Sequence, residues 1–233
     1  KLSIIIPTLN EEKYLPSLLS EIEKQNFKDY EIIVSDAGSV DKTVEIARNF
    51  GCKLVSGGLP SRAKNEGAKA AQGDLFLFMD ADNVHLPKNF LEDAITEFRK
   101  RNLGIATFPI FPDGNKFDKL AYGLFNFWVK LSQKFLPHAF NTILVRKEVH
   151  QKIGGFDEKI KIGEDHHYAR RVAKVSSFGF IKTKPILTSA RRLDTDGRFK
   201  TYLKYILVEL FLILDLAKYD IFKYKFGHYK SDE

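Results

Sequence analysis

A single cysteine, Cys52, is all the thiol chemistry in this chain of 233 residues. No internal disulfide can form, so a disulfide-stapled secreted module is excluded and a reducing compartment fits. A Cys-rich structural zinc site is excluded on the same ground. No G-x-x-x-x-G-K-[ST] loop occurs, which leaves P-loop phosphoryl transfer without support. No G-x-G-x-x-G follows the first apolar run and no G-x-S-x-G elbow is present, which argues against a dinucleotide-binding Rossmann domain and a serine hydrolase. Paired Cys/His fingers, aromatic RNA-binding strands and basic zippers are missing too, so no nucleic-acid partner is expected. No basic stretch leads into an apolar run ahead of Ser3, so no signal peptide is expected.

What is there reads as globular: 44% of residues are apolar and 29% charged. The length suits one large domain or two small ones. Lys and Arg total 37 against 30 for Asp and Glu, a net +7 that favours anionic ligands such as nucleotides, lipid phosphates or a membrane surface. The basic residues are scattered, so a solvated basic surface is the alternative.

The first half alternates strands and helices. Apolar runs at 2–6, 31–35, 52–55 and 74–79 predict strands, the first ended by Pro7. Helical spacing predicts helices over 11–24, 41–50, 61–71 and 87–99, the last with Pro87 in its first turn. Near-continuous apolar strands separated by helices mean a mostly parallel sheet covered on both faces. Ligands bind such sheets beyond the carboxyl ends of the strands. The second half is less regular: helices are expected over 117–135, 163–175 and 199–219, and strands over 141–145, 178–181 and 185–189. With no repeat and no low-complexity linker, one domain is expected.

Asp80-Ala81-Asp82 is the sharpest motif. Two carboxylates at the mouth of a buried strand offer hard oxygen ligands to Mg²⁺ or Mn²⁺, or else form a solvated turn. Asp36, after the second strand, can accept from a base or ribose, or close an Asx-turn. Asp41 and Thr43 read as helix caps. Arg62, Lys64 and Asn65 open a helix after Gly57-Gly58, an arrangement suited to an anion or to a capped surface helix. Glu164-Asp165 opens another helix, where a carboxylate can act as general base or simply complement the helix dipole. His166 and His167 follow it and read as packing rather than metal-binding. His85, His138, His150 and His228 have no ligand spacing. Cys52 reads as structural.

The order of these segments closely resembles a family 2 glycosyltransferase of the GT-A fold. The resemblance runs through Ser3-Ile4-Ile5-Ile6-Pro7-Thr8-Leu9-Asn10-Glu11, Val34-Ser35-Asp36-Ala37-Gly38-Ser39, Arg62-Ala63-Lys64-Asn65-Glu66-Gly67, Asp80-Ala81-Asp82, Gly154-Gly155-Phe156-Asp157 and Glu164-Asp165, and covers roughly residues 1–195. It implies an α/β fold with a Rossmann-like nucleotide-binding half at 1–110, an acceptor half at 111–197 and a C-terminal helical segment at 198–233. It also implies an inverting, metal-dependent transfer from a UDP- or GDP-sugar. Pro7, Leu9 and Glu11 would line the nucleotide pocket. Asp36 would contact the base, and Arg62 and Asn65 the nucleotide or diphosphate. Asp80 and Ala81 would lie against the nucleotide sugar, and Asp82 with Asp80 would hold Mg²⁺ or Mn²⁺. Asp165 matches the catalytic base, with Glu164 beside the acceptor. Ala37 replaces an acid often found there. The Gln-x-x-Arg-Trp motif of processive members is absent, so addition of one sugar is expected. Arg191-Arg192 is left as either a diphosphate contact or a surface pair. An inactive nucleotide-sugar-binding or membrane-adaptor protein of the same fold is the alternative.

Residues 205–217 form an apolar run too short for the roughly 20 residues of a membrane span. Flanking lysines (Lys200, Lys204, Lys218) and tyrosines (Tyr202, Tyr205, Tyr219) make it resemble an interfacial amphipathic helix, and residues 122–135 have the same character. The expected setting is cytoplasmic, with peripheral contact at the inner membrane face and a polyprenyl-phosphate or glycan acceptor. Packing on the core, or across a homodimer interface, is the other use for these helices.

Overall fold

The computed structural model describes residues 1–214. The elements are β1 (Leu2–Thr8), α1 (Leu15–Glu23), β2 (Tyr30–Asp36), α2 (Thr43–Asn49), β3 (Lys53–Ser56), α3 (Pro60–Ala70), β4 (Leu75–Met79), β5 (Asn83–His85), α4 (Phe90–Lys100) and β6 (Ile105–Thr107). Then come β7 (Ile110–Asp113), α5 (Lys116–Ser132), β8 (Thr142–Arg146), α6 (Lys147–Lys152), α7 (Glu164–Ala173), β9 (Phe178–Phe180), β10 (Ile186–Ser189), α8 (Arg191–Asp196) and α9 (Arg198–Ile213).

Seven strands form the main sheet in the order β3-β2-β1-β4-β8-β6-β9. Only β8 runs against the rest, antiparallel to both β4 and β6. A small sheet, β5-β10-β7, lies apart from it. The expected mostly parallel α/β architecture is therefore observed. Both faces of the main sheet are covered, because β1 and β4 are buried along their whole length. One core holds Ile4, Ile6, Leu77, Met79 and Phe90; the other holds Ile5, Phe76, Phe78, Phe156 and Tyr168.

Several boundaries differ from the sequence reading. β1 does not end at Pro7 but runs on to Thr8. Its pairing with β4 stops at Ile5, so Pro7 has a strand neighbour on one side only and its missing N–H is tolerated. The helix expected from residue 11 starts at Leu15, because Asn10 is left-handed (φ 55°) and the Glu11 N–H donates to Thr43 Oγ1. Pro87 precedes α4 rather than opening it: Asn89 is left-handed (φ 61°), so regular helix begins at Phe90. β5, β6, β7 and α8 were not foreseen. The helix expected to 135 ends at Ser132. Of the helix expected over 199–219, residues 215–219 lie outside the described residues, as does His228.

One close approach sets the layer spacing. A Cβ on Gly67 would stand 2.4 Å from Ile5 Cγ2 and 2.7 Å from Ser35 Oγ. α3 thus lies flush on β1 and β2, and its buried face carries Ser61, Lys64, Gly67 and Ala68.

Candidate active site

The buried face of α3 presents Lys64 where three carboxylates meet. Its ammonium stands 2.6 Å from Asp165 Oδ1, 3.1 Å from Glu164 Oε1 and 3.8 Å from Asp80 Oδ1. The Lys64 side chain is 1% exposed. Burial opposes its charge, but Asp165, Glu164 and Asp80 overcome that and hold its pKa above the usual lysine value. Asp80 follows β4, and its backbone N–H donates to the carbonyl of Asn141 at the entrance to β8. Removal from bulk water, then repulsion from Asp82 and Glu164, pushes Asp80 up to about 6 against the pull of Lys64. Its side chain keeps 40% exposure, so it still faces the open cleft. Burial also raises Asp165, with Glu164 and Asp80 adding to the effect and Lys64 opposing it.

Glu164 and Asp165 open α7 directly after Gly163, which is left-handed (φ 71°) and faces Val208 and Leu212 of α9. The wall behind them is aromatic: Phe156 stacks on Tyr168 at 3.9 Å, and the Tyr168 hydroxyl meets His150 Nδ1 at 2.8 Å. Burial lowers His150 to about 4.

A second ion-paired group lies across the cleft. Arg191 makes a bidentate pair with Glu11 (2.8 and 2.7 Å), comes within 3.4 Å of Asp82 Oδ2, and lies over the Tyr14 ring. Burial pushes Glu11 up to about 7, and Arg191 offsets only part of that rise. Asp82 Oδ1 is buried with no hydrogen-bond partner. An orphaned hard oxygen next to Asp80, in a cleft where Glu11, Asp80, Asp82, Glu164 and Asp165 outweigh Lys64, Arg191 and Arg192, fits a divalent cation.

The remaining expected residues divide. Pro7 is buried at the end of β1, and Leu9 is half-buried just beyond it. Asp36 accepts from Thr8 Oγ1, from the Gly38 and Ser39 N–H groups and from Ser39 Oγ, closing an Asx-turn at the end of β2. Asp41 ties Thr43 and the Glu12 N–H together. Arg62 is exposed at the start of α3. The Asn65 amide donates to the Phe156 carbonyl and Glu158 and accepts from the Phe156 N–H, so it holds the turn before α7. Ala81 points into the core, at 2% exposure. Lys64 was seen only as part of an anion-suited helix start, and its central place was missed. The available signal was a lysine on the same helical stripe as Ser61, Gly67 and Ala68. Cys52 is half-buried, and burial pushes its thiol up to about 11, toward the protonated form.

The profile described as "Glycosyl transferase family 2" matches residues 3–156. The chain belongs to glycosyl transferase family 2. Within the family, it is 36% identical over 104 residues to the poly(ribitol-phosphate) beta-N-acetylglucosaminyltransferase TarS of Staphylococcus aureus, a match covering 40% of this chain but 18% of TarS. It is 29% identical over 197 residues to an uncharacterized glycosyltransferase of Rickettsia typhi, covering 76% of this chain and 60% of that protein. The chain thus spans less than two thirds of the length of these relatives. The fold matches TarS 1-349 in complex with UDP-GlcNAc (TM-score 0.66, 21% identity, 91% of this chain and 66% of that one). It also matches the mannosyltransferase PcManGT from Pyrobaculum calidifontis in complex with GDP-Man and Mn²⁺ (TM-score 0.66, 18% identity, 93% and 69%). The family 2 architecture is therefore the GT-A arrangement. Among the described residues, no helix is long and apolar enough to cross a membrane.

Proposed function

We propose that this chain transfers one sugar, with inversion, from a UDP- or GDP-sugar to an acceptor hydroxyl or a lipid phosphate. The observation that carries the reading is the convergence of Asp80, Glu164 and Asp165 on the buried ammonium of Lys64. The nucleotide-sugar complexes of the fold neighbours TarS and PcManGT support it. Residues 1–110 hold the donor, with Pro7, Leu9 and Glu11 along the nucleotide, Asp36 near the base and Arg62 near the diphosphate. Residues 111–197 supply the acceptor side. Asp82 and Asp80 would hold Mg²⁺ or Mn²⁺, which offsets the charge of the departing diphosphate.

Asp165 takes the proton of the acceptor hydroxyl as that oxygen bonds to the anomeric carbon and the bond to the diphosphate breaks. Burial raises its basicity, while Lys64 favours its ionised form. A phosphate acceptor is already ionised and needs no base. Asp165→Asn therefore separates the two acceptor classes. With a hydroxyl acceptor, turnover drops on the order of 10²–10⁴-fold while donor binding persists. A drop below about tenfold removes the base role.

Thermal stabilisation by UDP, GDP, UDP-sugars and GDP-mannose, with and without Mn²⁺, tests the donor side. A ligand at 100 times its Kd stabilises by about 2.7 kcal/mol. Absence of any shift would overturn the reading. Binding with neither transfer nor hydrolysis would return the inactive binding protein.

A further inference from the structure

α5 and α9 expose their apolar stripes instead of burying them. On α5 and the turn after it, Phe117, Leu120, Leu124, Phe127, Leu131 and Phe135 are 60–87% exposed. On α9, Phe199, Leu203, Ile206, Leu210 and Leu214 are 45–83% exposed. Spacings of three and four residues put each set on one helix face. The two faces meet where Phe117 packs edge-on to Tyr202, and Arg198 and Tyr202 both bond the buried Asp118 carboxylate. Isolated exposed apolar residues need no explanation, but two adjoining stripes do.

Within α5 and α9 themselves the exposed charges have one sign, with exposed Asp113, Asp194 and Asp196 only on the segments that lead into them. Exposed Lys116, Lys119, Lys130, Lys134 and Lys200 rim them. The acids of the same helices are turned inward: Asp118 is fully buried on Arg198, and Glu209 is paired with Arg170. A second copy related by a two-fold axis would set lysines against lysines. An anionic bilayer complements the face in both respects, apolar surface to the acyl boundary and lysines to the headgroups.

We infer that the joined outer faces of α5 and α9 dock on an anionic membrane surface. The inner side of α9 fixes what this docking orients. Val208 and Leu212 pack on Gly163, immediately before Glu164 and Asp165. The membrane face and the start of α7 thus sit on opposite sides of α9, so an acceptor anchored in the bilayer has the roughly 10 Å width of that helix to pass to reach Asp165. That last consequence rests on the transferase reading; the docking itself does not.

The test is flotation of the full chain with vesicles of phosphatidylcholine alone or mixed with phosphatidylglycerol, alongside light scattering after size exclusion. The wild-type chain is expected to float with the anionic vesicles and to lose that binding as salt rises. Leu124→Gln with Phe127→Gln, both exposed, is expected to weaken flotation at least tenfold with the thermal midpoint unchanged. Lys116→Gln, Lys119→Gln and Lys130→Gln together are expected to weaken it on anionic vesicles and remove its salt dependence. Flotation absent, or equal for wild type and the α5 variants, overturns the inference. So does a dimer that the Leu124/Phe127 variant splits, which would assign the face to a second copy. Nucleotide-dependent stabilisation, measured without vesicles, reports on the transferase reading separately.

Discussion

Two cations face carboxylates in the cleft, and they are built differently. Lys64 projects from the middle of the sequence-regular half, 1% exposed, on a helix pressed against the sheet, and gathers acids from β4's end and from α7. Arg191 comes from the irregular half, on a six-residue helix, 13% exposed, and lies across Glu11 and Asp82. The first has no water to replace it: without its charge, Asp165 and Glu164 would repel each other and Asp80. The second is tied to Glu11 at hydrogen-bond distance, with Asp82 farther off at 3.4 Å. One cation belongs to the framework; the other links two carboxylates across the cleft.

The sharpest way to break this comparison is Lys64→Met. Removing one partner of a buried charge cluster costs about 3–5 kcal/mol. Denaturant unfolding should show that loss, and turnover should vanish. An unchanged midpoint would make Lys64 dispensable to the framework.

A smaller effect tests whether the Asp165 side owes its rigidity to the aromatic wall. His150 is held neutral by burial, lowered from the ordinary 6.5 to about 4. The unfolded chain therefore binds the proton more readily between those values. The stability His150 contributes is complete above pH 6.5 and is lost as pH falls through 4. Between pH 7 and pH 5 that amounts to about 2 kcal/mol. His150→Gln should flatten the pH dependence of the unfolding free energy by about that much, and an unaltered slope would place the sensitivity elsewhere.

The smallest expected effect falls on the other cation. Arg191→Gln should weaken nucleotide-diphosphate binding about tenfold, roughly 1.4 kcal/mol, in a titration against the wild-type chain. Tighter binding instead would mean that Arg191 blocks the site rather than serving the donor.

The sequence was most legible where burial imposes a period. Runs such as Leu75–Met79, short and bounded by Gly73 and Asp80, read as buried strands, and α3's place between two strands followed from alternation. β6 and β7 are three and four residues long, too short for any period to register. The reversal of β8 could not be seen either, because an apolar run is the same in both directions. At the site, paired acids were legible as local motifs, but their shared partner was not. Lys64 is about a hundred residues away from Glu164 and Asp165, and only the fold brings them together. The tie from Asn65 to the Phe156 turn was hidden for a related reason: it joins residues about ninety positions apart.

The bare backbone at Gly67 reaches further than its own contact. α3 behaves as a stiff beam whose height above the sheet is set at that one bearing point, and Lys64 rides on it almost one turn away. A single methyl group added there would force Ile5 and Ser35 aside or lift the beam, and any lift would carry the ammonium away from the acids it holds. A residue with no side chain is, in this protein, a setting for the one most crowded by charge.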